Sequence, residues 1–356
     1  MFADLSPGLL ILVFVLAGVL IWSTGIQLSA ASDKLSRRFG LGEALGGMII
    51  LAIVTNLPEI AIVAGAAFDH NFDIAIGNIL GGVAVQTVVL AVLDTFGMRR
   101  RLPLMCEASS LQLVLEGGLV IIVLSIVLMG AQMPESVIFA RTTPAGALIL
   151  CTWLTGIWLM RRSRKTIELP ALPKPVLQLK HKKPHAEESQ EMKAFEKPYQ
   201  PLALTISIFL LASVVTLLAG VALEESSRSL AEHYHVNGVL FGATILAAAT
   251  SLPELTTGLE SIRLGDYEMA VSDILGGNAF LPVLFFLATL CSGSAVLTQT
   301  TKVDIYITCL GMILTVVYIF GLIFRSPRKI FHMGVDSFLV VALYLLGIAG
   351  LVTIAK

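Results

Sequence analysis

The sequence predicts an all-α polytopic membrane protein with ten transmembrane helices. Hydrophobic residues make up 56% of the 356 residues and charged residues only 14%, a composition far more apolar than that of soluble domains. Apolar stretches of about 20 residues, long enough to span a bilayer, recur along the chain. They lie at about 8–30, 43–67, 74–96, 111–130, 143–160, 202–223, 238–262, 268–290, 303–324 and 335–354.

The basic residues orient these spans. Of the 24 Lys and Arg residues, 20 follow odd-numbered spans, and only Arg141, Arg228, Lys302 and Lys356 lie on the other side. The positive-inside rule therefore predicts that both termini lie outside the cytoplasm. No basic residue precedes the first span, which is longer than a signal-peptide core, so we interpret it as a retained helix. We expect an integral protein of a bacterial inner (plasma) membrane.

The chain contains an internal duplication. When it is shifted by 195 residues, 14 of 38 ungapped columns are identical between 47–84 and 242–279. Because each half carries five spans, an odd number, the second half must enter the membrane from the opposite side. Inverted repeats of this kind are typical of secondary transporters, whose substrate site lies at the repeat interface. We predict a first repeat at 1–160, a flexible cytoplasmic linker at 161–200 and a second repeat at 201–356.

The duplicated segments place a proline and a glutamate inside apolar spans, as "TNLPE" at 55–59 and "TSLPE" at 250–254. An intramembrane carboxylate is costly and is a functional candidate by default. Pro58 and Pro253 each leave a helical carbonyl without its N–H partner, and the Thr and Glu of each motif share one helical face. Each element alone is compatible with a structural role, but the duplicated set predicts an oxygen-rich site suited to Ca²⁺. Its predicted ligands are Thr55, Glu59, Thr250 and Glu254.

Two longer segments, "TNLPE…DIAIGNILGG" and "ATSLPE…MAVSDILGGNAF", resemble the alpha-repeats of the calcium/cation antiporter superfamily, which includes the sodium/calcium exchangers. The resemblance implies alternating access, with Ca²⁺ exported against an inward cation gradient. By motif position, the Ca²⁺ ligands would be the four residues named above. The carbonyls of Ala52 and Ala247, together with Ser251, would fall where the family binds sodium.

Several positions depart from the family pattern of side-chain oxygens. Asn56 replaces a Ser, and the other changes are Gly82, Val83, Gln86, Gly277 and Leu281. Sodium is the counter-ion that the resemblance implies, and these losses make a proton the rival. We hypothesise that Asp273, whose counterpart in the first half is Asn78, supplies a third carboxylate able to carry a proton. The alternative is that Asp273 faces a water-filled vestibule near a helix end.

The leading functional prediction is a secondary active antiporter that exports Ca²⁺ in exchange for Na⁺. The alternatives are a proton-coupled exchanger of Ca²⁺ or another divalent cation, and a cation-binding or sensing homologue that has lost transport. No catalytic motif stands out across the spans, so we do not expect an enzyme. We expect no cofactor, and Ca²⁺ with Na⁺ or H⁺ as transported ions. The expected partners are membrane lipid and cations, without nucleic acid or an obligate protein partner.

Overall fold

The computed structural model describes residues 5–41, 45–98, 101–134, 138, 141–163, 201–234 and 250–354. These residues are almost entirely helical, as predicted. The segment 164–200, which holds most of the predicted linker, and residues 235–249, which include Ala247, lie outside the described residues.

The first half of the chain contains seven α-helices and one π-helix in its described part. Helix α1 is Pro7–Arg38, and a π-helix at Gly46–Leu51 leads directly into α2. The remaining helices are α2 (Ala52–Thr55), α3 (Leu57–Phe68), α4 (Phe72–Gly97), α5 (Leu104–Glu107), α6 (Leu111–Gly130) and α7 (Pro144–Ser163).

The second half adds six α-helices and one short hairpin among the described residues. The helices are α8 (Leu202–His233), α9 (Leu252–Leu264), α10 (Tyr267–Phe280), α11 (Leu284–Ser292), α12 (Lys302–Phe324) and α13 (Val335–Ile354). Short 3₁₀ helices at Leu281–Val283 and Val296–Gln299 flank α11. Strands β1 (Lys329–Ile330) and β2 (Met333–Gly334) pair antiparallel before α13.

Seven of the described helices are long and apolar enough to cross a membrane, and the bent pair Gly46–Thr55 and Leu57–Phe68 makes an eighth span if counted as one. The apolar part of α13, Val335–Leu351, is shorter. The predicted span at 238–262 is described only from residue 250 onward. The structure therefore confirms a helical membrane protein, whereas the ten-span count and the inversion of the halves stay predictions.

The second predicted span is broken in its middle. The two helical segments meet at Asn56 (φ −86°, ψ 12°) with a bend of 50°. Pro58 explains the break, because its ring disrupts a continuous helix but fits the first turn of a new one. Helix α8 packs closely here: a Cβ on Gly220 would lie 2.4 Å from the Pro58 ring. The kinked segment is thus fixed by packing from a neighbouring helix.

Helices α4 and α10 run through the interior of the molecule. Buried residues of both helices belong to the two large hydrophobic clusters of the described chain. Helices α1 and α8 pack against each other along Ala17, Ile21, Ala219 and Leu223. This arrangement positions the two motif segments and the "ILGG" segments of α4 and α10 next to one another.

Candidate cation site

The two motif glutamates lie at equivalent places in the two halves. Glu59 is in the first turn of α3 and Glu254 is in the first turn of α9, each directly after a proline. Both are buried, with exposed fractions of 2% and 0%. A helix N-terminus favours negative charge because of its unpaired N–H groups and dipole. The helix starts at Pro58 and Pro253 therefore provide local stabilisation for carboxylates at membrane depth.

A third carboxylate, that of Asp273 on α10, joins the two motifs. Its Oδ1 accepts a hydrogen bond from the Thr55 hydroxyl (3.2 Å), and its Oδ2 accepts one from Thr257 (2.7 Å). Asp273 is fully buried, so it does not face an open vestibule. Glu59 and Asp273 are the acidic groups that act electrostatically on Glu254. The structure thus brings three carboxylates from α3, α9 and α10 into one electrostatic group.

The side-chain amides of Asn56 and Gln86 form an amide bridge that connects the first half to the three-carboxylate group. The Gln86 side chain donates from Nε2 to Asn56 Oδ1 (3.0 Å) and to Glu254 Oε1 (3.3 Å). Asn56 in turn donates from Nδ2 to the carbonyl of Ala52 (2.7 Å). Gly277 makes this bridge possible, because a Cβ there would lie 2.8 Å from Asn56 Nδ2 and 3.2 Å from Gln86 Oε1.

Several oxygens of this region are buried without a hydrogen-bond donor in the described part of the chain. They are Glu254 Oε2, Gln86 Oε1 and Asn278 Oδ1. Buried acceptors are normally satisfied, and a bound cation would satisfy these. Across the residues that the structure covers, no three His, Cys, Asp or Glu side chains are arranged as a metal cage. A cation here would therefore combine carboxylate oxygens with amide and hydroxyl oxygens, all of which Ca²⁺ accepts.

The other residues predicted for the site fall in different surroundings. Ser251 is buried at the N-cap of α9, and Thr250 immediately precedes it. The Ala52 carbonyl accepts the Asn56 Nδ2 hydrogen bond (2.7 Å), so a protein donor already engages it. Asn78 is only half-buried, and its Nδ2 has no hydrogen-bond partner among the described residues.

Sequence reasoning missed two contributors to this region. Thr257 lies three residues after Glu254, a spacing that places both on one face of α9, and this signal identifies it in retrospect. Glu116, a single glutamate within the fourth predicted span, is fully buried and accepts a hydrogen bond from Ser272, the residue before Asp273. Its presence inside an apolar span was itself a functional signal.

A helical membrane protein with a broken span beside buried carboxylates and amides has the architecture of a secondary transporter. The family model described as "Sodium/calcium exchanger protein" matches residues 9–161 and 204–353. The chain belongs to this family, which is a family of transporters, and the membership supports cation antiport as its class of function. The resemblance of the two alpha-repeats to the calcium/cation antiporter superfamily is thereby confirmed.

Individual relatives agree with this assignment. The chain is 28% identical over 272 residues to a putative antiporter, CaxA, of Alkalimonas amylolytica, covering 75% of this chain and 76% of the relative. It is 25% identical over 264 residues to the inner membrane protein YrbG of Escherichia coli (strain K12), covering 71% of each. These relatives support the prediction of an integral membrane protein.

Solved structures of the sodium-calcium exchanger NCX_Mj share the fold. The structure soaked with zero Na⁺ and Ca²⁺ matches with a TM-score of 0.64 and 17% identity, over 97% of this chain and 100% of that chain. The structure soaked with 100 mM Na⁺ and 10 mM Sr²⁺ matches with a TM-score of 0.61 and 17% identity, over 97% and 99%. At this identity the likeness shows the fold alone.

Proposed function

We propose that this protein is a secondary active antiporter that exports Ca²⁺ in exchange for Na⁺ by alternating access. The observation that carries the proposal is the grouping of Glu59, Glu254 and Asp273, with Thr55 and Gln86 of the first half hydrogen-bonded to the two acids of the second. The two inverted repeats would be residues 1–160 and 201–356, joined by a cytoplasmic linker at 161–200, with both termini outside.

The electrostatics of this group explain why exchange would be obligatory. Glu254 and Asp273 form no ion pair with any basic residue in the described chain. Moving an empty site of several negative charges through a closed, apolar state is costly. Binding either one Ca²⁺ or its co-ions removes most of that charge and allows the site to reorient. Thr250, Ser251 and Ala247 are proposed to complete the ligand set.

A proton is the second candidate counter-ion, and the amide bridge favours it. The Gln86 and Asn56 amides fill the space that Gly277 leaves, and they direct N–H groups toward Glu254 and the Ala52 carbonyl. An amide N–H donates hydrogen bonds and cannot ligate a cation. The positions where the family resemblance implies sodium ligands are therefore partly occupied by donors. A buried third carboxylate, Asp273, offers a group that protons can neutralise instead.

Ca²⁺ uptake into proteoliposomes tests the proposal. Vesicles loaded with Na⁺ in one arm, or loaded at acid pH in the other, are diluted into Ca²⁺ without the internal ion. We expect uptake to follow the Na⁺ gradient, with uptake driven only by the pH gradient identifying the proton-coupled alternative. Glu59→Gln and Glu254→Gln should each lower uptake by at least about 100-fold, since each removes a charge that binds the ion.

Glu107→Gln is the matched control, because Glu107 is an exposed acid on α5 outside the site. Uptake that survives in the Glu59→Gln, Glu254→Gln double variant would contradict the proposed site. A folded wild-type protein without uptake in either arm would contradict antiport itself.

A further inference from the structure

Glu116 is a buried acid that belongs to neither motif. It lies in the second turn of α6, which begins after the N-cap Ser110, and its exposed fraction is 0%. The Ser272 hydroxyl donates to Glu116 Oε2 (2.6 Å), and Gln112 Nε2 donates to Oε1 (3.2 Å). Both carboxylate oxygens are therefore held in a fixed orientation by donors from α6 and α10.

The surroundings of Glu116 contain no compensating positive charge among the described residues. Glu268, at the start of α10, is the charged group that acts on it electrostatically. Helix α12 packs on α6 through Ile319 and Thr315 at Gly117, and α7 packs on α6 through Gly156 at Leu119. No described Lys, Arg or His forms an ion pair with Glu116. Hydrogen bonds offset only part of the cost of a carboxylate buried in a membrane.

Glu116 is hydrogen-bonded to the helix that carries Asp273. Its partner Ser272 immediately precedes Asp273 on α10. The π-helix packs on the same two residues, since a Cβ on Gly47 would lie 2.9 Å from Ser272 Cβ and 3.1 Å from the Asp273 backbone nitrogen. Glu116 is therefore linked by one hydrogen bond to the residue that precedes a carboxylate of the cation site.

The serine that holds Glu116 is not repeated in the first half. At the 195-residue offset of the duplicated segments, Gly77 is the counterpart of Ser272 and offers no side-chain donor. The repeated fold therefore does not need a hydroxyl at this place on α10. Glu116 and Ser272 both lie near the helix ends that are predicted to face the cytoplasm.

We propose that Glu116 is a proton-binding site, coupled through Ser272 and Asp273 to cation occupancy of the central site. A proton from cytoplasmic water forms an O–H bond on the Glu116 carboxylate, and it returns to water past Gln112 and Glu268 when a cation binds. Protonation removes a negative charge near Asp273 and so weakens cation binding, and by linkage the bound cation expels the proton. This inference rests on the proposed function, but it holds whether Na⁺ or H⁺ is the exchanged ion.

The test measures protons released per Ca²⁺ bound by the purified full-length protein in weakly buffered detergent solution. The wild-type protein should release protons on binding, and its Ca²⁺ affinity should fall as the pH is lowered. Glu116→Gln should still bind Ca²⁺ but release fewer protons per ion. The decrease in its Ca²⁺ affinity at acid pH should be at least about fivefold smaller than in the wild type. Glu107→Gln, which removes an exposed acid, should match the wild type.

Ser272→Ala separates a proton site from a structural role. It keeps the Glu116 carboxyl but removes a donor to its charged form, so proton release should shift to higher pH with its stoichiometry unchanged. A merely structural role would lower the thermal midpoint and leave both proton readouts at wild-type values. If Glu116→Gln does not fold, the pH dependence of proton release in Ser272→Ala decides between a proton-binding and a structural role.

Unchanged proton release and unchanged pH dependence in these variants would overturn the proton-binding role of Glu116 but leave the proposed function standing. A wild-type protein that neither binds nor transports Ca²⁺ would instead overturn the proposed function.

Discussion

The two motif regions descend from one duplicated segment, yet they bring different chemistry to the site. In the second half, Asp273 is fully buried and accepts a 2.7 Å hydrogen bond from Thr257. At the 195-residue offset, the first half has Asn78 and Ile62, which lack both the charge and the donor. Both members of the Asp273–Thr257 contact are therefore replaced in the first half. The comparison indicates that the second half supplies the additional acid, whereas the first half supplies amides.

The two amide side chains of the first half are likewise replaced together in the second half. Asn56 and Gln86 are hydrogen-bonded to each other, and their counterparts in the second half are Ser251 and Leu281. Gln86 also reaches Glu254 across the interface between the halves. The first half therefore contacts Glu254 through a neutral donor, which orients this carboxylate without adding a positive charge. Variants at repeat-related positions test this difference between the halves.

The largest difference is expected between Asp273→Asn and Asn78→Ala. Asp273→Asn removes one of three interacting carboxylates, so Ca²⁺ uptake into proteoliposomes should fall at least about tenfold, equivalent to about 1.4 kcal/mol. Asn78 lies outside the hydrogen-bond network and is half-buried, so its truncation should change uptake less than about threefold. Equal losses in the two variants would show that the halves contribute alike.

A smaller effect on Ca²⁺ uptake is expected when the Thr257 side chain is made apolar, like that of its counterpart Ile62. Thr257→Val removes the hydroxyl that donates to Asp273 and keeps the side-chain volume. Hydrogen bonds to charged groups contribute about 1.5–3 kcal/mol, so unfolding in detergent should shift by about that free energy and uptake should fall several-fold. Thr256→Val is the control, because the Thr256 hydroxyl bonds the Pro253 carbonyl instead of Asp273. Similar shifts in both variants would remove the special role of the Asp273 contact.

Sequence reasoning reached the family and the motif carboxylates because these depend on local signals. Apolar length identifies spans, and a repeated Pro-Glu pair within them identifies the helix starts that hold Glu59 and Glu254. The amide bridge was not foreseeable, since Gln86 and Glu254 are 168 positions apart and meet only through packing at Gly277. Glu116 carried a local signal, as an acid within an apolar span, but its partner Ser272 lies 156 positions away on a different helix and could not be foreseen.

The smallest effect compares the two equivalent glycines, Gly82 and Gly277. A Cβ at position 277 would press on the hydrogen-bonded Asn56 and Gln86 amides, at 2.8 and 3.2 Å. At position 82 it would meet only the end of the Leu281 side chain, at 3.1 Å, which can rotate away. Gly277→Ala should therefore cost about 1 kcal/mol of unfolding free energy, the low end of overpacking effects, and Gly82→Ala less. Because the strain falls on the amide bridge, Gly277→Ala should also weaken Ca²⁺ binding while Gly82→Ala leaves it unchanged. A reversed order would mean that the first half is the more tightly packed of the two.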